Sequence, residues 1–488
     1  MGLLLFGAGI NLLLIQFVLM RELAISLFCT ELTILLVGAS YFLGYAFGYL
    51  LAGRVSILGA RRWLIGALLV HPVLIPALRA ACGYFAHIGH KDWGPPLVFA
   101  AVCLLVPGCY TALLPAFVTA TSREAMPRYY RMELLGGVAG LVAILTLGSL
   151  SVWALAGLYL AVLLAMVVMM GARPRTCLVL AAWLVIAGMA WPRLDRLSSE
   201  YFYSRFFKWL RGDVQILYSA HSPYQKIEVL QDARGKKRLW LNGLEYFNDG
   251  DLEHFNFYLT ELPARLLRPR SVLIIGSGSM SSLSHLAPYV ERITTVEIDR
   301  QVAEAGRRFF GDYNQLASLR VPWRLVIDDA KHFLNGTQER YDLILMDIPA
   351  PYYLQTALLF TKEFYALAKQ HLVPGGAMAL YVAEQIRLNH PAYPSARIIQ
   401  AANAVFRQSW LVTSNAAENS FLYVGDQLPF DGERIRRVVQ EARGADERFL
   451  VFSRARMLAT LAGIEPASLQ NLDIVWALSA WSLPYRWE

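Results

Sequence analysis

A chain of 488 residues in which 56% are hydrophobic and 17% charged is too apolar for a soluble protein of that size, and the excess lies almost wholly before Trp191. All five cysteines, Cys29, Cys82, Cys103, Cys109 and Cys177, fall within or beside that apolar part, which excludes a disulfide framework, a cysteine-ligated metal or a thiol nucleophile in the remainder. The formal net charge of +8 comes mostly from arginines flanking the apolar segments, a pattern of membrane topology rather than of nucleic-acid binding.

Seven apolar stretches are candidates to cross a hydrocarbon core of about 30 Å: 3–28, 32–52, 63–85, 97–119, 134–150, 152–170 and 177–191. A cleavable signal peptide is not expected, because the first stretch lacks a basic start and runs past any usual apolar core. Small residues at helical spacing, Gly44-Tyr-Ala-Phe-Gly48 and Gly136-Gly-Val-Ala-Gly140, predict close helix packing. Arg54, Arg61 and Arg62, then Arg123, Arg128 and Arg131, then Arg173 and Arg175 occupy alternate loops, which the charge rule assigns to the cytoplasm. With seven spans that orientation puts the second half outside, yet Arg193, Arg196, Arg205, Lys208 and Arg211 after the last span are themselves a cytoplasmic signature. Both clusters share a side only if one weak stretch does not cross. Within the spans, Gln16, Arg21, Glu22, His71 and Arg79 are read either as mutually paired or snorkelling groups or as a substrate path.

A basic linker, 192–215, leads to Ile227-Glu-Val-Leu230 and Arg238-Leu-Trp-Leu241, which flank a turn-rich Gln231-Asp-Ala-Arg-Gly235 and predict a β-hairpin. From Ser271 onward strands and helices alternate: strands at 272–275, 293–296, 323–327, 343–346 and 377–382, helices near 281–289, 301–309 and 361–370. That alternation predicts an α/β, Rossmann-like domain with a mostly parallel sheet, whose ligands sit at the carboxyl ends of the strands. Ser277, Ser279, Glu297, Asp328, Asp329 and Asp347 all fall there. Gly276 and Gly278 after one strand, with Glu297 about twenty residues on at the next strand tip, is the spacing that presents a nucleoside: a turn open to backbone approach, then a carboxylate for ribose hydroxyls. The structural alternatives are a tight strand–helix turn for the glycines and a helix cap for Asp328 and Asp329. Asp347 is read the same way, as a cap in its loop or as a site residue. His254, His285 and His332 lack metal-ligand spacing, so no metal is expected.

The strings Ser222-Pro-Tyr-Gln225, Leu239-Trp-Leu-Asn-Gly243, the Gly276/Gly278 turn, Val296-Glu-Ile-Asp299, Asp329-Ala330, Asp347-Ile-Pro-Ala-Pro351, Phe360-Thr-Lys-Glu-Phe-Tyr365 and Val373-Pro-Gly-Gly376 stand in this order over about 216–385. In them the second half resembles the spermidine synthase (polyamine aminopropyltransferase) family, and the whole architecture its membrane-fused subgroup. The resemblance implies that Gln225 contacts the thioadenosine of an S-adenosyl donor, Glu297 the ribose, and Asp329 the adenine amino group. It further implies that Asp347 holds and deprotonates the attacking amine, the step the chemistry requires because a protonated amine has no lone pair. The family turn carries an aspartate where Ser279 stands, with Met280 next. The gate loop carries a second one at Ala350. A glutamine is expected at Tyr246, and a tyrosine–histidine pair at Phe255-Asn256.

The adenosine-contacting positions are thus kept and the amine-contacting ones altered, with Ser279 and Tyr246 as the substrate-side candidates. The expected organisation is a helical membrane domain (1–191), the linker, a β-hairpin subdomain (216–262), the nucleoside domain (263–430) and a helical extension (431–488) whose Arg434–Arg443 helix and terminal Trp476, Trp481, Tyr485 and Trp487 suit a membrane interface or a subunit contact. The expected function is a multi-pass inner-membrane transferase that takes decarboxylated S-adenosylmethionine or S-adenosylmethionine as donor and moves an aminopropyl or related alkyl group to a non-standard acceptor. Methyl transfer, or a non-catalytic nucleoside or polyamine sensor or scaffold, are the alternatives. Its partners are the lipid bilayer, the two small molecules and, as an open option, a second copy of the chain; nucleic acid is not among them.

Overall fold

The computed structural model describes the chain apart from residues 27–30, 53, 91–92, 121–122, 149–151, 211, 251, 350, 352–353, 385–393, 416–418, 473 and 476–488. Ala350 and the aromatic end from Trp476 therefore lie outside the described residues. Two compact units emerge, Met1–Gly235 with Trp240–Leu244, and Lys236–Leu239 with Glu245–Glu488.

In the first unit α1 (Gly2–Ser26) and α2 (Glu31–Ala52) cover the first two apolar stretches. The third is broken into α3 (Ile57–Val70) and α4 (Leu74–His87) by a 3₁₀ turn at His71–Val73, where Pro72 has no N–H for the helical ladder. The fourth divides at Ala112 into α5 (Gly94–Thr111) and α6 (Leu113–Ala120). Then come α7 (Met126–Leu147), α8 (Val152–Met169) and α9 (Pro174–Phe206). By length and composition, six helical segments among the described residues are long and apolar enough to cross a membrane, α3 and α4 counting as one; the apolar part described in α2, Val37–Leu51, is shorter. Large apolar side chains point outward along α7 (Leu134, Val138, Leu141, Leu145) and α9 (Leu178, Val179, Ile186, Met189).

The 33 residues of α9, about 50 Å of helix, run on through much of the segment expected as a linker, which is helical to Phe206. Pro192 is accommodated inside it, and Ser198, Ser199, Phe202, Tyr203 and Phe206 form a buried stripe that keeps the basic segment helical.

The glycine pairs lie at helix crossings. A Cβ on Gly136 would fall 2.0 Å from the Phe6 carbonyl, and one on Gly140 2.9 Å from that of Ile10, so α1 and α7 run side by side in the same direction. Gly44 meets the Leu104 carbonyl in the same way, which aligns α2 with α5. Arg61 donates to the Gly171 carbonyl at 3.0 Å, joining the α2–α3 and α8–α9 loops at one end of the bundle. At the other end Arg21 donates to the Ser222 and Pro223 carbonyls at 2.5 and 3.1 Å. Arg54, Arg61, Arg62, Arg128, Arg131, Arg173 and Arg175 thus gather at the end opposite the 222–225 turn.

Arg79 is fully buried and pairs with both carboxylate oxygens of Glu22, with Asp195 at 2.5 Å and with the Ser199 hydroxyl at 2.9 Å. Lys226 pairs with Glu228 at 2.8 Å and donates to Ser199, and Tyr203 donates to Glu228 at 2.5 Å. The paired reading of Arg21, Glu22 and Arg79 is the one the structure shows.

The predicted hairpin is the middle of a four-stranded sheet, β1 (Gln215–His221), β2 (Lys226–Gln231), β3 (Lys237–Leu241) and β4 (Leu244–Asn248), in that order. Asn242 (φ 48°) and Gly243 (φ 79°) make the tight turn from β3 to β4, and a Cβ on Gly243 would fall 2.1 Å from the Ile25 carbonyl.

The second unit opens with α10 (Glu253–Asn256) and α11 (Leu262–Leu267). Its sheet has strands β5 (Ser271–Gly276), β6 (Arg292–Glu297), β7 (Trp323–Ile327), β8 (Tyr341–Asp347), β9 (Leu372–Glu384), β10 (Gln408–Ser414), β11 (Asn419–Gly425) and β12 (Phe449–Ser453), in the order β12-β10-β11-β9-β8-β5-β6-β7. Strands β9-β8-β5-β6-β7 are parallel, the Rossmann-like half. The β9–β11, β11–β10 and β10–β12 pairs are antiparallel. The sheet is therefore mixed rather than mostly parallel, since the short β10–β11 link cannot carry a crossover helix. Nor is 431–488 a helical extension: β12 is a strand of this sheet, with α18 (Gly432–Arg443) before it and α19 (Arg454–Thr460) after it.

Alternate residues of the central strands feed two cores. Leu273, Ile275, Ile344 and Met346 pack on one face with α16 (Lys362–Gln370) and α17 (Pro394–Val405). Val272, Ile274, Leu343 and Leu345 pack on the other with α11, α12 (Ser281–Leu286), α13 (Arg300–Phe310) and α18. Helices α14 (Ala330–Gly336) and α15 (Leu354–Ala357) complete the unit.

Candidate functional site

Register places the site. Gly276 lies beside Asp347 at the ends of β5 and β8, and Glu297 beside Ile327 at the ends of β6 and β7, so both carboxylates stand at the carboxyl edge of the parallel strands. Gly276 has φ 91°, and a Cβ there would fall 2.2 Å from the Asp347 carbonyl oxygen. A Cβ on Gly278 would meet Val302 at 2.4 Å and Glu297 Oε2 at 3.0 Å. The two glycines allow both acids to press against one turn. Between and after them Ser277 (φ 63°) and Met280 (φ 61°) hold the left-handed backbone without being glycine.

Both acids are buried. Glu297 Oε1 accepts the Asp299 N–H at 2.9 Å, and burial, reinforced by Asp299 and Asp347, pushes the Glu297 carboxyl up to about 7. Asp347 Oδ2 accepts the Ser282 hydroxyl at 2.7 Å, and burial raises its carboxyl above the usual range while that bond opposes the rise. The Tyr246 hydroxyl donates to the Asp347 carbonyl at 3.0 Å; burial first, then Asp347 and Glu297, hold the phenol proton tightly.

Where the resemblance expects an aspartate, Ser279 is buried among neutral groups. Its hydroxyl meets that of Ser281 at 3.2 Å, Ser281 meets Asn256 Oδ1 at 3.5 Å, and Asn314 donates to the Ser279 carbonyl at 2.7 Å. Phe255 packs edge-on against Tyr381 and Phe421. None of these partners carries a formal charge.

The structure thus brings Gly276, Gly278, Ser279, Glu297, Asp347 and Tyr246 together. Asp329 caps α14, its Oδ1 accepting from Lys331 N at 2.8 Å and His332 N at 3.1 Å, and Asp328 pairs with His332 at 2.7 Å, a hydrogen bond that raises the imidazole above its usual value. They follow β7 at the same edge, so capping, one alternative the sequence left open, is realised there. Gln225 belongs to the first unit, on the β1–β2 turn organised by Ser222, whose hydroxyl accepts the Gln225 N–H at 3.0 Å. Sequence reasoning missed Ser282 and Asn314. The serine run 277–282 was a signal for the first; nothing in the sequence marked the second. A groove of about 680 Å³ between Arg407–Trp410 and Leu428–Arg434 is lined by none of these site residues.

Comparison with known proteins finds similarity within this part of the chain. The spermine/spermidine synthase domain matches residues 252–424. The polyamine aminopropyltransferase of Oceanobacillus iheyensis is 31% identical over 193 residues, 38% of each chain. That of Saccharolobus solfataricus is 31% identical over 34% of this chain and 56% of its own, and that of Streptococcus pneumoniae 35% over 33% and 57%. The chain therefore matches less than two thirds of the length of these relatives. A spermidine synthase crystal structure from Thermotoga maritima aligns with 51% of this chain and 84% of its own at 21% identity, with a TM-score of 0.39. Over residues 252–424, which carry the strand-end acids and the glycine turn, the chain is therefore similar to the spermidine synthase-like family.

Proposed function

We propose that the second unit is a transferase that binds an S-adenosyl-type donor at the β5–β6–β8 edge and passes its aminopropyl or related alkyl group to a nucleophile other than a standard diamine. The observation that carries this reading is the pair of buried carboxylates, Glu297 and Asp347, pressed against one glycine turn. Glu297 would accept the ribose hydroxyls, with Asp329 toward the base. In the transfer, the acceptor's lone pair attacks the carbon bonded to the sulfonium, the C–S pair leaves on sulfur as a neutral thioether, and the acceptor proton goes to Asp347. The neutral shell of Ser279, Ser281 and Asn256 favours an acceptor or donor end without the second ammonium group that a paired carboxylate would hold.

The first unit, with its outward apolar faces, would anchor this domain in a bilayer. An S-adenosyl donor is a cytosolic metabolite, so the reading puts the bundle end bearing the 222–225 turn in the cytoplasm, against the arginine bias of the other end. Reporters inserted at Leu58 and at Gly235 should then report opposite sides, the second cytoplasmic. A periplasmic signal at Gly235 would remove the donor supply and with it the enzymatic reading.

The direct test is calorimetry of the full chain with decarboxylated and ordinary S-adenosylmethionine. Tight binding of the first that weakens at least tenfold in Glu297→Gln supports the proposal. Preference for the second turns it toward methyl transfer, and binding of neither leaves a scaffold.

A further inference from the structure

Glu133 lies on α7 inside the first unit, 7% exposed, and neither carboxylate oxygen has a hydrogen-bond partner among the described residues. Glu22, in the same bundle, is met by Arg79; among the described residues no cation pairs with Glu133. The backbone that carries it is fixed, since a Cβ on Gly9 of α1 would fall 2.0 Å from the Glu133 carbonyl oxygen.

Helix α2 carries Tyr41, Tyr45 and Tyr49, four residues apart and so on one helix face. All three lie within electrostatic reach of the Glu133 carboxyl, and Tyr130, one turn before Glu133, reaches Tyr45 and Tyr49. The Tyr41 and Tyr45 rings meet edge to face at 5.1 Å. Exposure grades outward, from 5% at Tyr41 to 42% at Tyr49 and 48% at Tyr130, toward the arginine-rich end of the bundle. A carboxylate at the head of an aromatic stripe offers a counter-charge, ring faces that attract cations and phenol oxygens that accept N–H bonds. One carboxylate with ring faces is a poor cage for a metal ion, which needs several converging oxygens, and a good one for an organic ammonium.

We propose that Glu133 with Tyr41, Tyr45, Tyr49 and Tyr130 forms a binding site for a small primary ammonium ion, separate from the transferase site. Its ordinary structural rival is a Glu133 that stays protonated and binds nothing.

The test uses the full chain in nanodiscs of zwitterionic phosphatidylcholine, with n-butylammonium and the neutral n-butanol as probes. Butylammonium should bind at least tenfold more tightly than butanol, and Glu133→Gln should abolish that preference. Tyr45→Leu with Tyr49→Leu should weaken it at least threefold with Glu133 intact, which keeps the test alive if the first variant does not fold. Binding should persist in Asp347→Asn, which separates this site from the transferase reading. Equal binding of alcohol and ammonium, no binding of either, or displacement by equimolar sodium chloride would each overturn the proposal.

Discussion

The Tyr246 hydroxyl and the Ser277 N–H both donate to the main-chain carbonyl of Asp347, at 3.0 and 2.9 Å. The strand-end acid is therefore held by its backbone from β4 and from the glycine turn, and by its side chain from Ser282. Tyr246→Phe keeps the ring and removes one of two donors, so its cost should be about 0.5–1.5 kcal/mol. A thermal melt of the full chain should show a lowered midpoint for the second unit. An unchanged midpoint would mean that this contact does not order the site.

The turn itself separates conformational need from sequence habit. Gly276→Ala must move the Asp347 carbonyl, and Gly278→Ala must move Val302 and the Glu297 carboxylate, so each should cost several kcal/mol and abolish donor binding. Ser277→Gly has the opposite sign. Ser277 holds φ 63°, where glycine is at ease, and release of that strain should stabilise by about 1 kcal/mol. Denaturant midpoints of the three variants check both directions.

Burial sets the pH dependence. Glu297 rises from its ordinary 4.5 to about 7 in the folded chain, so between those values the native state keeps a proton that the unfolded state has lost. The contribution of this group is fully present below 4.5 and is lost as pH rises through that window, by on the order of 3 kcal/mol. Asp347, raised in the same direction, adds to the fall. Glu297→Gln should flatten the curve. A donor whose ribose requires the ionised acid should bind about tenfold more tightly at pH 8 than at pH 6. Calorimetry across that range, with wild type and Glu297→Gln, measures it.

In the first unit the same physics predicts an asymmetry. Arg79→Met leaves Glu22 and Asp195 buried without their partner and should cost about 3–5 kcal/mol. Glu22→Gln with Arg79→Met should recover a substantial part, because one orphaned charge is gone. If the double variant is no more stable than the single one in a detergent melt, the network is not what joins α1, α4 and α9.

What the sequence disclosed was what local chemistry dictates. Alternating apolar residues at 272–275 and 343–346 announced strands, and Gly276 with Glu297 announced a site, because a tight turn and a strand-tip acid leave a spacing behind. The β10–β11–β12 edge did not show itself, since a pairing between 410 and 453 is made in space and not along the chain. The last apolar stretch ends at 191, and the buried stripe Ser198–Phe206 carries α9 past it. Asn314 reaches Ser279 across 35 residues, and no motif links them.

The altered amine side of the site yields the last prediction: the chain should be a poor catalyst of spermidine formation from putrescine. Putrescine carries two ammonium groups at neutral pH, and taking both out of water needs a carboxylate for each. Asp347 is present and buried, but Ser279 stands where the resemblance places an aspartate, enclosed by Ser281, Asn256 and Asn314 with no charge among them. An ammonium placed there would lose its water and meet only neutral oxygens. The resulting loss of transition-state stabilisation is several kcal/mol, or orders of magnitude in rate. Purified full-length protein, supplied with decarboxylated S-adenosylmethionine and putrescine, should therefore form spermidine slowly, and Ser279→Asp should raise the rate by restoring the charge. Rapid turnover by the wild type that vanishes in Asp347→Asn would show that the neutral shell does not select against a diamine.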